Sequence, residues 1–238
     1  MNLSDLVIQI QLTYRQRKQL QMAQNRIVLQ LKALARAAVD GDKDRAGVIV
    51  DRLIANKVQK AEDVEIAVGL SQNYGALFAA HDGIASDCAK LGKELEKLAK
   101  KLPVAEWVAT QRGVGMTNLA NIIGEAGDLA NYNNPAKLWK RMGLAVIGTE
   151  RQRKVADAEA ALVHGYNPVR RSVMWNVGTC IIKAGGALKT LYDERKVYEA
   201  GKSPDITKML AHRRAQRYVE KRVLRDLWRA WRGEFATA

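Results

Sequence analysis

The chain has 238 residues, enough for one large domain or two small ones, and its 47% apolar share with only four prolines suits a packed core. A formal charge of +14 and an isoelectric point near 9.9 point to a polyanion, above all nucleic acid and less often an anionic membrane. No apolar run approaches the ~18 residues of a membrane span, the N-terminus lacks the basic-then-apolar pattern of a signal peptide, and Cys88 and Cys180 make neither a metal-ligand spacing nor a disulfide framework, so a cytoplasmic protein without a membrane partner is expected.

The charge is uneven. Residues 1–100 carry 15 basic and 12 acidic side chains, whereas residues 101–238 carry 24 and 13. The polyanion-facing half is therefore the C-terminal one. In the first half, Leu3, Leu6, Ile10, Thr13, Arg17, Leu20, Gln24, Ile27, Leu31, Leu34 and Ala38 recur every three or four residues, a coiled-coil spacing. Arg17 and Gln24 sit in that seam, where polar residues fix register or partner number. Two readings fit it: a coil between chains, making a homo-oligomer through the N-terminal helices, or a long amphipathic helix packed within its own monomer. "VDGDKDRAG" ends the helix and caps a second, from about Asp42 to Val58. A third starts at Ala61 and reaches the seventies. A second seam follows through Ile84, Cys88, Leu91, Leu95, Leu98 and Leu102, with Cys88 as a small apolar packing residue. Leu102-Pro103 ends it, because a residue before proline avoids helical geometry, and the domain boundary is placed there.

Beyond the boundary, "PVAEWVATQR" reads as a short helix with proline in its first turn. Gly113-Val114-Gly115 then precedes a helix from Met116 to about Gly124. "NNPAKLWKRMG" is a further helix, capped by Asn134, begun by Pro135 and closed by Gly143. "LAVIGTERQRKVADAEAALVHGYNP" is the least helical segment and leaves room for two short strands. Helices follow from Pro168 to about Lys183, around "ALKTLYDERKVYEAG", and from Ser203-Pro204 to Arg232. The last is not simply amphipathic. Arg213 and Arg217 share a face with Met209, Leu210, Leu224 and Leu227, while Ala215, Val219 and Val223 point elsewhere, so it either breaks or is buried on two sides. The fold class expected is mainly α: a long-helix or coiled-coil arm over 1–102, then a helical DNA-binding domain over 103–238.

Helix, Gly-x-Gly turn, helix is the layout of a helix-hairpin-helix element. Gly113 and Gly115 would let the turn approach a ligand closely. The amides of Val114, Gly115, Met116 and Thr117 would then face a phosphate oxygen at a helix N-terminus. Such contacts position a protein on a duplex without reading bases. A plain turn is the alternative. Further basic residues stand at Arg151, Arg153 and Lys154, at Arg170 and Arg171, and at Arg213, Arg214, Arg217, Lys221, Arg222 and Arg225. Arg214, Arg217 and Lys221 form one helical stripe, either a solvated face or a phosphate contact. If six to ten phosphates are touched, affinity should drop ~10³-fold or more between 50 and 200 mM salt. Trp175, Trp228 and Trp231 are placed in the core. His81, His164 and His212 are too scattered to ligate a metal, and no metal or cofactor is evident.

The stretch "RGVGMTNLANIIGEAGDLANYNNPAKLWKRMGL" resembles the C-terminal domain of the DEDD-type insertion-sequence transposases, the family guided by a bridge RNA. The pattern is a Gly-x-Gly hairpin, an E-x-G-D stop, an aromatic, a capped helix and a Gly-Leu end. It is carried by Glu125, Gly127, Asp128, Tyr132, Leu138, Gly143 and Leu144. "GYNPVRRSV" is similar to the family's Gly-Asn-x-x-Leu-Arg-Arg segment through Gly165, Asn167, Arg170 and Arg171. The Leu91–Leu102 seam stands where the family has a coiled coil, and the likeness covers about residues 85–232. It implies a DNA-binding protein of transposition or recombination, with DNA and a structured RNA as partners. Residues 1–84 are too short and too helical for the family's RNase H-like domain with its four acidic metal ligands. The loop that carries the family's serine nucleophile here reads "AVIGTERQRK", in which Thr149 is the sole hydroxyl. Three functions follow: binding without complete catalytic machinery, an active recombinase with Thr149 as nucleophile, or a basic helical scaffold or RNA-binding accessory.

Overall fold

Helix α1 covers Leu3–Ala35 and ends in a 3-10 turn at Arg36–Val39, in a computed structural model that describes residues 2–58, 60–202 and 205–234. The fold is mainly α. Asp42 caps helix α2 (Lys43–Ile54), its carboxylate accepting from the amides of Asp44 and Arg45. The helix stops at Ile54 rather than Val58, because Asn56 turns left-handed with φ 53°. Helix α3 (Ala61–Ala99) is two helices joined at a kink, where Tyr74 leaves helical geometry with φ −125° and ψ 25°, so the helix expected from Ala61 into the seventies ends there and the second seam lies beyond it.

The chain divides into two compact units, Met1–Tyr14 with Glu94–Ala238, and Arg15–Lys93. The boundary expected at Pro103 falls inside the first of these. In the Arg15–Lys93 unit, Leu31, Ile49, Val50 and Leu70 form the core, and buried Asp63 holds Arg45 and Arg52 at 3.3 and 3.5 Å. Arg17 Nε donates to the Cys88 carbonyl at 3.2 Å, and Gln24 Nε2 lies 3.1 Å from His81 Nε2. Residue 17 opposite 88 and 24 opposite 81 make an antiparallel pair. The α1 and α3 seams therefore meet within one chain, which is the second of the two readings given to the heptads. Arg17 and Gln24 set its register by reaching polar partners across the seam.

The other unit holds α4 (Ala105–Thr110), α5 (Gly115–Ala126), α6 (Pro135–Arg141), strands β1 (Val146–Ile147) and β2 (Glu150–Arg151), and helices α7 (Ala158–His164), α8 (Pro168–Ala184), α9 (Ala187–Lys202) and α10 (Lys208–Trp231). Pro103 lies in the turn before α4 rather than in its first turn. The two strands pair antiparallel, with Val146 opposite Arg151 and Ile147 opposite Glu150. Helix α7 was not expected, yet it has ordinary punctuation: Asp157 accepts from the Ala160 amide and left-handed Gly165 closes it. Helix α10 begins at Lys208 under a Thr207 cap; the Ser203-Pro204 start lies outside the described residues.

Helix α10 is unbroken and packs on α6, α8 and α9, while α8 packs on α5. The core gathers Ile10 of α1, Leu95 of α3, Leu119 and Ile122 of α5, Met174 and Val177 of α8, and Val219 and Leu224 of α10. Gly178 is the close-approach point of α8 and α10: a Cβ there would lie 2.8 Å from Gln216 and Glu220 side-chain atoms. Helix α8 therefore runs through the middle of the unit, with the Gly-Val-Gly turn at its C-terminal end and most of the basic side chains around its N-terminal half.

Candidate nucleic-acid interface

The Gly-Val-Gly turn is explained largely by packing. Gly113 has φ 88°, and a Cβ on it would stand 2.7 Å from the Cα of Ile181 and 3.0 Å from the Cys180 carbonyl oxygen. The turn therefore lies directly on the α8 backbone. Val114 is buried, and its amide, expected to face a phosphate, instead donates to the Gln111 carbonyl at 3.1 Å. Met116 packs against the core. Gly115 alone is open, with φ 64° and nothing near a notional Cβ, and no side chain caps the start of α5. The Thr117 hydroxyl donates to Glu96, which brings a carboxylate beside the amides that would meet an anion. Like charge there works against a phosphate.

The basic side chains converge some ten residues away along α8, about 15 Å at 1.5 Å per residue. Arg151 of β2, Arg171 of α8, and Arg213, Arg214 and Arg217 of α10 line one cleft of ≈ 670 Å³, together with Trp175. Among the described residues, none that lines it carries a carboxylate. Arg171 is paired from beneath with fully buried Glu220 at 2.8 Å, and Arg214 with buried Glu199 at 3.3 Å. Arg217 Nη2 donates to the Ala145 carbonyl at 3.0 Å, which ties α10 to the chain entering β1. Arg151 and Arg213 are exposed and meet no carboxylate among the described residues.

The electrostatics show the crowding. Burial, and next the Arg171 guanidinium, pull the Arg217 pKa down, with Arg151 adding to the effect. Burial pushes the Glu220 carboxyl up to about 7, against the opposing pull of Arg171. An anion in the cleft would relieve the repulsion among these guanidinium groups, since opposite charge favours the charged form.

The remaining sequence candidates take other places. Arg170 pairs with Glu125 at 3.3 Å, and Glu125 also accepts from the Tyr14 hydroxyl. Arg153 pairs with Glu150 at 2.8 Å, and Lys154 is exposed. The Arg214–Arg217–Lys221 stripe splits: two of its members face the cleft, while Lys221 lies 5.1 Å from the Trp139 ring centroid beside β1. Thr149 is exposed in the two-residue loop between the strands, and its hydroxyl bonds nothing among the described residues. No group of three metal-ligating side chains occurs among the described residues, and no described helix is long and apolar enough to cross a membrane.

Trp228 and Trp231 pack in the core, donating to the Tyr132 carbonyl and the Asp128 carboxylate at 2.7 and 2.9 Å. Trp175 does not join them. It is 38% exposed at the cleft. Sequence reasoning missed it because the apolar neighbours at helical spacing made all three tryptophans look alike. One signal was present: Trp175 sits four residues after Arg171 and so shares its helical face.

Compared with family models, curated proteins and solved structures, the chain matches none.

Proposed function

We propose that this chain binds nucleic acid through the arginine cleft, as a DNA-binding protein of transposition or recombination. The observation that carries the reading is the convergence of five arginines from three elements on one concavity, with no acid among the described residues that line it. Guanidinium groups suit phosphate oxygens because their planar forks donate two parallel hydrogen bonds and stay charged at all working pH values. The residues that bear the transposase resemblance support it by holding the cleft-bearing helices. Glu125 anchors Arg170 at the start of α8, and the Asn167 side chain caps α8 through the amides of Val169 and Arg170. Asp128 accepts from the Trp231 indole and the Ala130 amide, tying down the end of α10.

Phosphate contact predicts a steep salt dependence. Five neutralised phosphates correspond to roughly a 500-fold loss of affinity between 50 and 200 mM salt. Fluorescence anisotropy on a labelled DNA duplex measures it. Arg213→Ala should lower the slope of log K against log salt by about one and weaken binding to all sequences alike. A slope near zero, or tighter binding to an acidic protein than to DNA under the same salt, would replace this reading with that of a basic scaffold.

A further inference from the structure

The cleft holds more than charge. Trp175 stands among its arginines, with the Arg171 guanidinium carbon 5.8 Å from the indole centroid. The His212 ring meets Trp175 edge-on, at 6.2 Å and 90°. His212 is itself held by a 2.6 Å contact between its Nδ1 and the Tyr192 hydroxyl. Burial, with Lys196 and Arg213 nearby, lowers the His212 pKa, so near neutral pH the ring braces Trp175 without adding charge. The Trp175 carbonyl accepts from Gln216 at 3.0 Å, fixing the backbone beneath. The platform is built before any ligand arrives.

Buried tryptophans usually find a partner for the indole N–H. Trp139, Trp228 and Trp231 all do so, donating to the Lys221 carbonyl, the Tyr132 carbonyl and the Asp128 carboxylate. The indole N–H of Trp175 bonds nothing among the described residues, and its ring is 38% exposed. A duplex gives such a ring no use, because its bases stay stacked on one another and it offers phosphates and base edges only. An unpaired strand offers a phosphate and a free base face within one nucleotide, and base–aromatic stacking with arginines along the backbone is how single strands are held. A cleft of ≈ 670 Å³ is within the range that encloses one small organic ligand.

We infer that the cleft takes an unstacked nucleotide from a single-stranded stretch of nucleic acid, its base lying on Trp175 and its flanking phosphates on Arg151, Arg213, Arg214 and Arg217. This deepens the reading of the cleft as a phosphate site and rests on it. The base would fill the space beside Arg171, and the same arginines would track the backbone on either side.

The test is anisotropy with the full chain and four probes: oligo-dT, oligo-rU, an abasic strand of equal length and charge, and a duplex. The wild type should bind the two base-bearing strands about 5- to 150-fold more tightly than the abasic strand. Trp175→Ala should remove that preference, and Trp175→Phe should keep most of it. The dT and rU arms present a DNA and an RNA strand, and a Trp175-dependent preference on either supports the proposal. Equal affinity of the wild type for abasic and base-bearing strands overturns it, and that measurement needs no variant to fold. If Arg213→Ala weakens every probe while Trp175→Ala changes none, stacking is wrong and phosphate binding stands. If Arg151→Ala and Arg213→Ala change nothing, both fall.

Discussion

Gly113 and Gly115 stand two residues apart, both with positive φ, yet they answer to different forces. An alanine at 113 would drive its Cβ to 2.7 Å from the Ile181 Cα, whereas one at 115 meets open space. Left-handed strain costs about 1–2 kcal/mol at either site, and overpacking adds roughly 1–3 kcal/mol at 113 only. Urea denaturation should therefore rank Gly113→Ala well below Gly115→Ala in stability. Gly115→Ala should also leave DNA affinity within about twofold; a tenfold loss would return phosphate contact to the hairpin. Glu220 makes a second residue-scale prediction. Its folded pKa is raised to about 7 from an ordinary 4.5, chiefly by burial. Its contribution to stability is thus fully present below about pH 4.5 and is lost as pH rises through about 7. The stability of the wild type relative to Glu220→Gln should fall by up to ~3 kcal/mol between pH 4.5 and 8. A pH-independent difference would show that Glu220 is ionised throughout.

Helices α1 and α3 show what a heptad seam does and does not specify. Its period requires a helical partner, and Arg17 and Gln24 require polar company, but the residues opposite belong equally well to a second chain or to a later part of the same one. In the structure Arg17 and Gln24 meet Cys88 and His81 of the same chain. Arg17→Ala should cost about 1.5–3 kcal/mol, the usual range for a hydrogen bond to a charged group, and leave the mass from light scattering unchanged. A change of mass would mean that the seam also joins chains. Local punctuation made most elements readable: the caps Asp42 and Asn134 stand where helices begin in the structure. Helix α7 was passed over because its Leu162 and Val163 are exposed, so it lacks the buried stripe that marks a helix in sequence. The arginine cleft was only half legible. The charged residues were visible one by one, but the convergence of β2, α8 and α10 depends on the α8–α10 crossing at Gly178, a long-range contact without local signal.

Across the whole molecule, the charge follows the organisation of the chain. Residues 101–238 carry 24 basic against 13 acidic side chains, and the buried acids Glu199 and Glu220 anchor arginines from behind while the open side of the cleft stays cationic. The field of such a surface raises the encounter rate with any polyanion, so attraction alone does not identify a binding site; the number of ions released at that site does. The most direct measurement is the salt slope of duplex DNA binding for the wild type against the Arg151→Ala/Arg213→Ala pair. A slope near −4.5 that becomes shallower by about two units in the double variant is the predicted result. An unchanged slope would place the phosphates elsewhere on the protein and contradict the cleft as the interface.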